Sequence, residues 1–336
     1  MKDLEQREKT ADIPVVDLGE LGVGGPDKPS EDEWRRVGES LVKAFGDIGF
    51  VYLSNHGVST RSVDEVNKWS GKFFELDSAT KMRYKRGTTQ LQGYTEPGQE
   101  RLIAEGDVRE LRESYDVREV DGMFPDEEVV ELRPSVQALV AACKKLASRV
   151  LTAIAIGLGV MFTFDTFAQL NVRCSADLDR SYFVSTHQQM CSDNNATCLR
   201  LLYYPPVPPS VCEGATRCGA HTDYGTVTLL FQDNMGGLEV RNREGSWVSA
   251  DPVLGTVLVN VGDLLQFWTS NKLRATEHRV LIPKEEMQQR RPRRSVVFFV
   301  HPDDPVLIQP LDGSNAYSPV TAKSHTDKRF EETYQY

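Results

Sequence analysis

The sequence predicts an α+β fold, with helices flanking a sandwich or jelly roll of short strands. Up to about residue 196 the hydrophobic periodicity is mostly helical; beyond it the chain turns into short β runs divided by turn residues. The composition agrees. With 336 residues, 40% hydrophobic and 26% charged, 25 Gly and 17 Pro, this is ordinary globular protein with enough chain for a sizeable core. The formal charge of −10 leaves no electrostatic footprint for a phosphate backbone, so no nucleic-acid partner is expected.

The first helix is expected after Ser30, a capping residue, with Glu31 and Glu33 in its first turn and Trp34, Val37, Leu41, Ala44 and Phe45 on one face. A second follows Ser59 and Thr60, with Val63, Val66, Trp69 and Phe73 as its stripe. A long third begins near Pro134, suited to a first helical turn, and carries Val136, Leu139, Val140, Cys143, Leu146, Val150 and Ile154. Short strands at Pro14 to Leu18 and Phe50 to Leu53 accompany them. After residue 196 the strands are Leu199 to Tyr204, Thr226 to Gln232, Leu238 to Arg241, Thr256 to Val261, His278 to Ile282 and Ser295 to Val300. Strands this short with turns this frequent suit a sandwich or jelly roll, not a parallel sheet. No repeat or low-complexity linker interrupts the chain. It reads as one catalytic unit: a helical and strand region over 1–195, a core over 196–302 and a C-terminal extension over 303–336.

The charged start, Met1 to Lys9, has no apolar leader, and the apolar stretch Val150 to Phe164 is too short and interrupted to span a bilayer. The six cysteines, Cys143, Cys174, Cys191, Cys198, Cys212 and Cys218, form no CxxC pair and read as reduced thiols in buried or surface positions. The expected compartment is the cytoplasm, with no membrane partner and, by default, a monomer.

The chemistry concentrates in His221-Thr222-Asp223 and in His278 further on. An H-x-D pair at a strand end points both side chains the same way, and a histidine from a neighbouring antiparallel strand can complete three ligands on one face of an octahedron. That leaves open positions, and imidazole with carboxylate suits Fe(II) better than a closed structural zinc site. The dipeptide alone is common in surface loops; its context is what makes it informative. In Arg293-Arg294-Ser295, the residue in register with Ser295 is Arg293, so Arg293 should face inward as an anion clamp and Arg294 outward. The wider basic run, with Arg290 and Arg291, otherwise reads as a solvated face.

At this point the sequence resembles the Fe(II)/2-oxoglutarate-dependent dioxygenases, in their isopenicillin N synthase-like branch. The matches run along nearly the whole chain: Ile13 to Leu18, the segment Gly49 to Val58 containing Asn55-His56-Gly57, and Leu199 to Pro206. They continue through His221 to Gly225, Asn260-Val261-Gly262-Asp263, His278-Arg279-Val280 and the Arg293/Ser295 pair. The resemblance implies a double-stranded β-helix (jelly-roll) core flanked by N-terminal helices. It implies Fe(II) on His221, Asp223 and His278, and 2-oxoglutarate as cosubstrate with its distal carboxylate on Arg293 and Ser295, helped by Tyr204. It also implies dioxygen as the oxidant and a small molecule in a concave pocket that is hydroxylated, desaturated or cyclised. Natural-product or amino-acid-derived metabolism is the expected setting. Phe299 and Tyr224 are candidate pocket residues. Leu202 departs from the family, where many plant members have Asn, which argues against a close match to the plant flavonoid and hormone enzymes.

Other histidines are discounted. His56 reads as structural in a turn, His301 as closing a strand end and His325 as solvated. His187, in the polar stretch Ser185 to Asn195, is read either as a solvated loop histidine or as a pocket residue. Asp251 and Asp263 are read as turn and strand-end residues. Segments expected to shape the pocket are Gln92 to Tyr115, Ser181 to Asn195 and the tail from Tyr317. Two rival readings stand beside the main one. One is an iron oxidase of the same fold without 2-oxoglutarate; the other is a non-catalytic small-molecule-binding protein.

Overall fold

A computed structural model describes residues 13–87, 91–100, 112–168, 178–206, 216–282 and 291–333. Cys174, Cys212, Arg290 and residues 101–111, in the middle of the Gln92 to Tyr115 segment, lie outside them.

The helices form where the sequence places their caps. In α1 (Glu31–Asp47) the Ser30 hydroxyl accepts from the Glu33 amide, and Trp34, Val37, Leu41, Ala44 and Phe45 are all buried. α2 (Thr60–Phe74) buries Val66, Phe73 and Phe74. A short α3 (Ser78–Met82) follows, capped by Asp77. α4 (Leu132–Ala168) has Pro134 in its first turn and runs through the apolar stretch that begins at Val150. It packs on α1 so closely that a Cβ on Gly157 would stand 2.3 Å from the Gly38 carbonyl oxygen, which only glycine allows. Later come α5 (Tyr182–Ser185), α6 (Asp263–Trp268) and α7 (Ala322–Thr333). Among the described residues no helix is long and apolar enough to cross a membrane.

Fourteen strands are described: β1 (Val15–Asp17), β2 (Phe50–Ser54), β3 (Gly93–Thr95), β4 (Glu113–Val117), β5 (Cys198–Tyr204), β6 (Thr216–His221) and β7 (Val227–Gln232), followed by β8 (Leu238–Arg241), β9 (Trp247–Ser249), β10 (Val257–Val261), β11 (His278–Leu281), β12 (Arg293–Val300), β13 (Leu307–Ile308) and β14 (Val320–Thr321). A large sheet runs β1-β2-β10-β7-β12-β5-β4-β3, a smaller one β6-β11-β8-β9, and β13 pairs with β14. All the described pairings are antiparallel except β1 with β2.

Half of the large sheet, β1 to β4, therefore comes from before residue 196. β3 and β4 escape a periodicity reading because β4 spells Glu-Ser-Tyr-Asp-Val, a polar segment whose burial is compensated by ion pairs from Lys81 of α3 and Arg200 of β5. The two faces of the large sheet separate by strand parity. Val296, Phe298 and Val300 of β12, Leu199 and Leu201 of β5, and Leu229 and Phe231 of β7 join the helices in the main core. The alternate residues Arg293, Ser295, Val297 and Phe299, with Arg200, Leu202, Tyr204, Thr228 and Leu230, line a cavity.

Candidate active site

Antiparallel pairing of β11 with β6 sets His278 directly opposite His221, and their ring centroids stand 4.3 Å apart. Asp223 lies just past the end of β6. Its Oδ1 is 3.8 Å from His221 Nε2 and 3.7 Å from His278 Nε2. The donor atoms of the three residues all fall within 4.8 Å of one another, a spacing that a single metal ion can bridge.

The protonation pattern follows from the partners. His221 Nδ1 is 2.8 Å from the Gly219 carbonyl and His278 Nδ1 is 3.1 Å from the Thr276 carbonyl. A carbonyl can only accept, so each Nδ1 donates; in the neutral ring that a metal ligand must be, this leaves the Nε2 lone pair turned toward Asp223. On the carboxylate, Asn260 Nδ2 donates to Oδ2 at 2.7 Å, which leaves Oδ1 as the oxygen facing the imidazoles. Burial opposes the charge on Asp223, but the two imidazoles and hydrogen bonds from Asn260 and Thr228 hold its carboxyl below the usual range. His278 is held down to about 4, first by burial and then by His221. The turn that carries Asp223 is tight. A Cβ on Gly262 would stand 2.3 Å from the Gly225 carbonyl oxygen, so the two backbones touch there.

The donor set suits Fe(II). Two imidazoles and one carboxylate oxygen on one side leave the opposite side open to the cavity.

At the other end of the same floor, β12 pairs Arg293 with Tyr204 of β5. Arg293 is 1% exposed, lies over the Tyr204 ring at 5.0 Å, and among the described residues spends only its Nε, donating to the Gly236 carbonyl at 3.0 Å. Ser295 is 2% exposed and its buried hydroxyl has no partner among the described residues. A guanidinium fork and an orphaned hydroxyl facing one cavity form a cradle that a carboxylate would satisfy. The expected strand parity holds: Arg294 points the other way, onto Tyr203 and toward Glu75. Tyr204 is buried and lines the cavity, as do Phe299 and Tyr224.

His187 corrects both sequence readings. It is 2% exposed and does not line the cavity; Nε2 meets Thr226 Oγ1 at 2.7 Å and Nδ1 meets the Phe183 carbonyl. The single turn of α5 folds it inward against Trp268, so it braces the core. His325 is likewise not solvated: its side chain is 11% exposed, packed on Phe267 and 3.4 Å from Asp263, which opens α6. His56 is structural as expected, accepting from the Val58 amide. Ser181 to Asn195 does not reach this cavity; Ser192 and Asp193 line an adjoining one. The buried thiols of Cys143, Cys191 and Cys198 are all pushed up by burial, in line with inert packing.

The sequence reading missed a charged outer wall. Asp116 bridges Arg86 (2.7 Å) and Arg200 (2.6 Å), and Glu100 bridges Arg200 (3.0 Å) and Arg112 (3.1 Å), all buried and all lining the cavity. Burial works against ionising Glu100, yet Arg112, Arg200 and Arg86 hold its carboxyl down to about 2. The visible signal was Arg200, a lone charge in the apolar run Leu199 to Leu202. His301 also lines the cavity, buried beyond its strand-end position, and Phe330 reaches it from α7.

Known proteins share this architecture. The 2OG-Fe(II) oxygenase superfamily pattern matches residues 195–302, and that of the non-haem dioxygenase in morphine synthesis N-terminal region matches 13–145. The 2-oxoglutarate-Fe(II) type oxidoreductase ppzD of Metarhizium rileyi is 32% identical, covering 88% of this chain and 85% of its own. The proline hydroxylase buaE of Petromyces alliaceus is 30% identical, over 88% and 93%. In structure, a full-length Neurospora crassa protein in complex with alpha-KG and thymine superposes with a TM-score of 0.77 at 28% identity, over 95% of this chain and 96% of its own.

Proposed function

Since the chain belongs to the 2OG-Fe(II) oxygenase superfamily, we propose that His221, Asp223 and His278 hold its Fe(II), while Arg293, Ser295 and Tyr204 hold the distal carboxylate of 2-oxoglutarate. The protein is a 2-oxoglutarate-dependent dioxygenase, an oxidoreductase. When bound, Fe(II) and 2-oxoglutarate supply dioxygen activation and the oxidising equivalents that break a substrate C–H bond. The chain's own part is to hold and exclude. His221 and His278 keep their Nε2 lone pairs available by donating from Nδ1, and Asn260 fixes which oxygen of Asp223 faces them. The apolar strip Leu202, Leu230, Leu238, Val280 and Val297 keeps water from the inner floor.

One observation supports the site assignment above the rest: two imidazoles that each meet a carbonyl through Nδ1 and one carboxylate oxygen turned toward them, lining a cavity of about 110 Å³. We read 196–302 as the catalytic core, completed by 1–195 and 303–336 into one unit. The substrate is read as a small molecule of natural-product or amino-acid-derived metabolism, a reading that the similarity to a proline hydroxylase supports.

The test is an anaerobic titration of 2-oxoglutarate into Fe(II)-loaded protein, following the metal-to-ligand charge-transfer band. The wild type should develop the band, and His278→Ala should lose the band and turnover while its far-ultraviolet circular dichroism stays native. Wild-type iron content and rate in His278→Ala would sink the ligand assignment; a wild type without a band would sink the cosubstrate.

A further inference from the structure

We propose that Arg118 anchors a carboxylate of the substrate, so that the molecule oxidised is a small carboxylic acid. The inference rests on the oxygenase reading of the cavity and adds the substrate class to it.

Arg118 directly follows β4, where the chain leaves the large sheet at the rim of the cavity. It lines both the reaction cavity and an adjoining one of about 330 Å³, and with Leu91, Ala196 and Phe330 it forms the boundary between them. Its backbone is pinned, since the amide donates to Gln92 Oε1 at 3.0 Å. Its guanidinium forms no close ion pair among the described residues. Nη2 donates to the Asn195 carbonyl at 2.9 Å, and among the described residues no carboxylate lies within 4.0 Å of it.

This sets Arg118 apart from the other arginines of the outer wall. Arg86, Arg112 and Arg200 each reach Asp116 or Glu100. Of the acidic groups of the adjoining cavity, Asp327 pairs with Lys323 at 2.9 Å, and burial together with Asp193 raises the Glu119 carboxyl; Asp304 is also raised by burial, with the charges of Lys323 and then Arg118 opposing, and none of them forms an ion pair with Arg118 among the described residues. His301, also on the cavity, is held down to about 3 by burial and then by Arg118, so it contributes no competing charge. A partly buried guanidinium with most of its fork unspent among the described residues, facing a cavity, is matched by a planar anion that can accept two parallel hydrogen bonds. The cavity of about 110 Å³ restricts that anion to a small molecule. A carboxylate held there would be fixed at the outer end of the site, with the rest of the molecule directed inward toward His221, Asp223 and His278.

The test uses the full chain loaded with Fe(II) and 2-oxoglutarate. The probes are the protein amino acids and short aliphatic and aromatic carboxylic acids, each beside its primary amide. Binding is read as a shift of the charge-transfer band, and turnover as succinate formed. At least one acid should shift the band and accelerate succinate formation while its amide does neither. Arg118→Gln should raise the KM for that acid by about 30-fold or more, the usual loss when one member of a charge-assisted pair is removed, with 2-oxoglutarate affinity unchanged. Arg118→Lys, which keeps charge but not the fork, should fall between. Acids and amides acting alike, no acid acting at all, or a wild-type KM in Arg118→Gln would each overturn the proposal. If Arg118→Gln does not fold, Arg118→Lys against wild type decides in the same way. A wild type lacking the charge-transfer band would instead remove the oxygenase reading, so the two failures are distinct.

Discussion

The inner and outer walls of the cavity treat charge in opposite ways. On the inner wall, Arg293 gives the protein a single hydrogen bond and the Ser295 hydroxyl gives none among the described residues. On the outer wall, Arg86, Arg200 and Arg112 are tied through Asp116 and Glu100 into a buried ionic chain. Buried polar groups left open are expensive unless something arrives to meet them, whereas paired ones hold strands together. Open groups therefore mark where ligands bind, and paired ones mark where the fold is braced. Arg118 belongs to the outer wall by position and to the first class by chemistry.

Arg293→Ala should show the largest effect that separates the walls. Removing one partner of a buried charged pair costs about 2–5 kcal/mol, so 2-oxoglutarate should bind roughly 30-fold to several thousand-fold more weakly. Arg294→Ala, whose side chain lies on Tyr203 outside the cavity, should change it little. Iron content and melting temperature should survive both. A band titration that weakened with Arg294→Ala and not with Arg293→Ala would reverse the strand parity.

The mirror experiment is Asp116→Asn. It takes one charge from between Arg86 and Arg200, and breaking a buried ion pair costs about 3–5 kcal/mol of stability. Urea denaturation should register the loss while the 2-oxoglutarate titration of the folded protein stays near wild type. Unchanged stability with weakened cosubstrate binding would show that the outer wall serves ligands and not the fold.

The inner wall was legible in the sequence because it is written locally. His221 and Asp223 are two apart, Arg293 and Ser295 are two apart, and strand parity turns that spacing into a shared face. The helices were legible for the same reason: Ser30 and the stripe from Trp34 to Phe45 lie within one element. The outer wall joins β4 to β5, setting Asp116 opposite Arg200 across 84 residues of chain. No local period announces such a pair, and each charge viewed alone reads as surface. His187 and His325 were misjudged by the same logic, since polar neighbours in sequence suggested water where the fold supplies Thr226 and Phe267 instead.

His187 offers the smallest effect, and one that vanishes at neutral pH. Its ring is held down to about 4, first by burial, with the Phe183 carbonyl and Asp303 opposing the shift only in part. An unfolded histidine titrates near 6.5, so between about 6.5 and 4 the unfolded chain binds a proton that the folded chain does not. Stability must then rise with pH across that window and be flat, for this residue, above it. His187→Gln removes the titration while its amide can still meet Thr226 Oγ1. At pH 7.5 the variant should differ from wild type only by a constant offset, from altered packing against Trp268 and the lost contact of Nδ1 with the Phe183 carbonyl. From pH 6.5 downward it should lose stability less steeply, by up to about 1.4 kcal/mol per pH unit, the worth of one proton. His301, held down to about 3, pushes in the same direction, so the slope should shrink and not disappear. Melting temperatures of both proteins across pH 4 to 8 measure this. Identical slopes would mean that His187 takes up its proton in the folded chain, as a solvated histidine does, and the brace between α5 and Thr226 would have to be withdrawn.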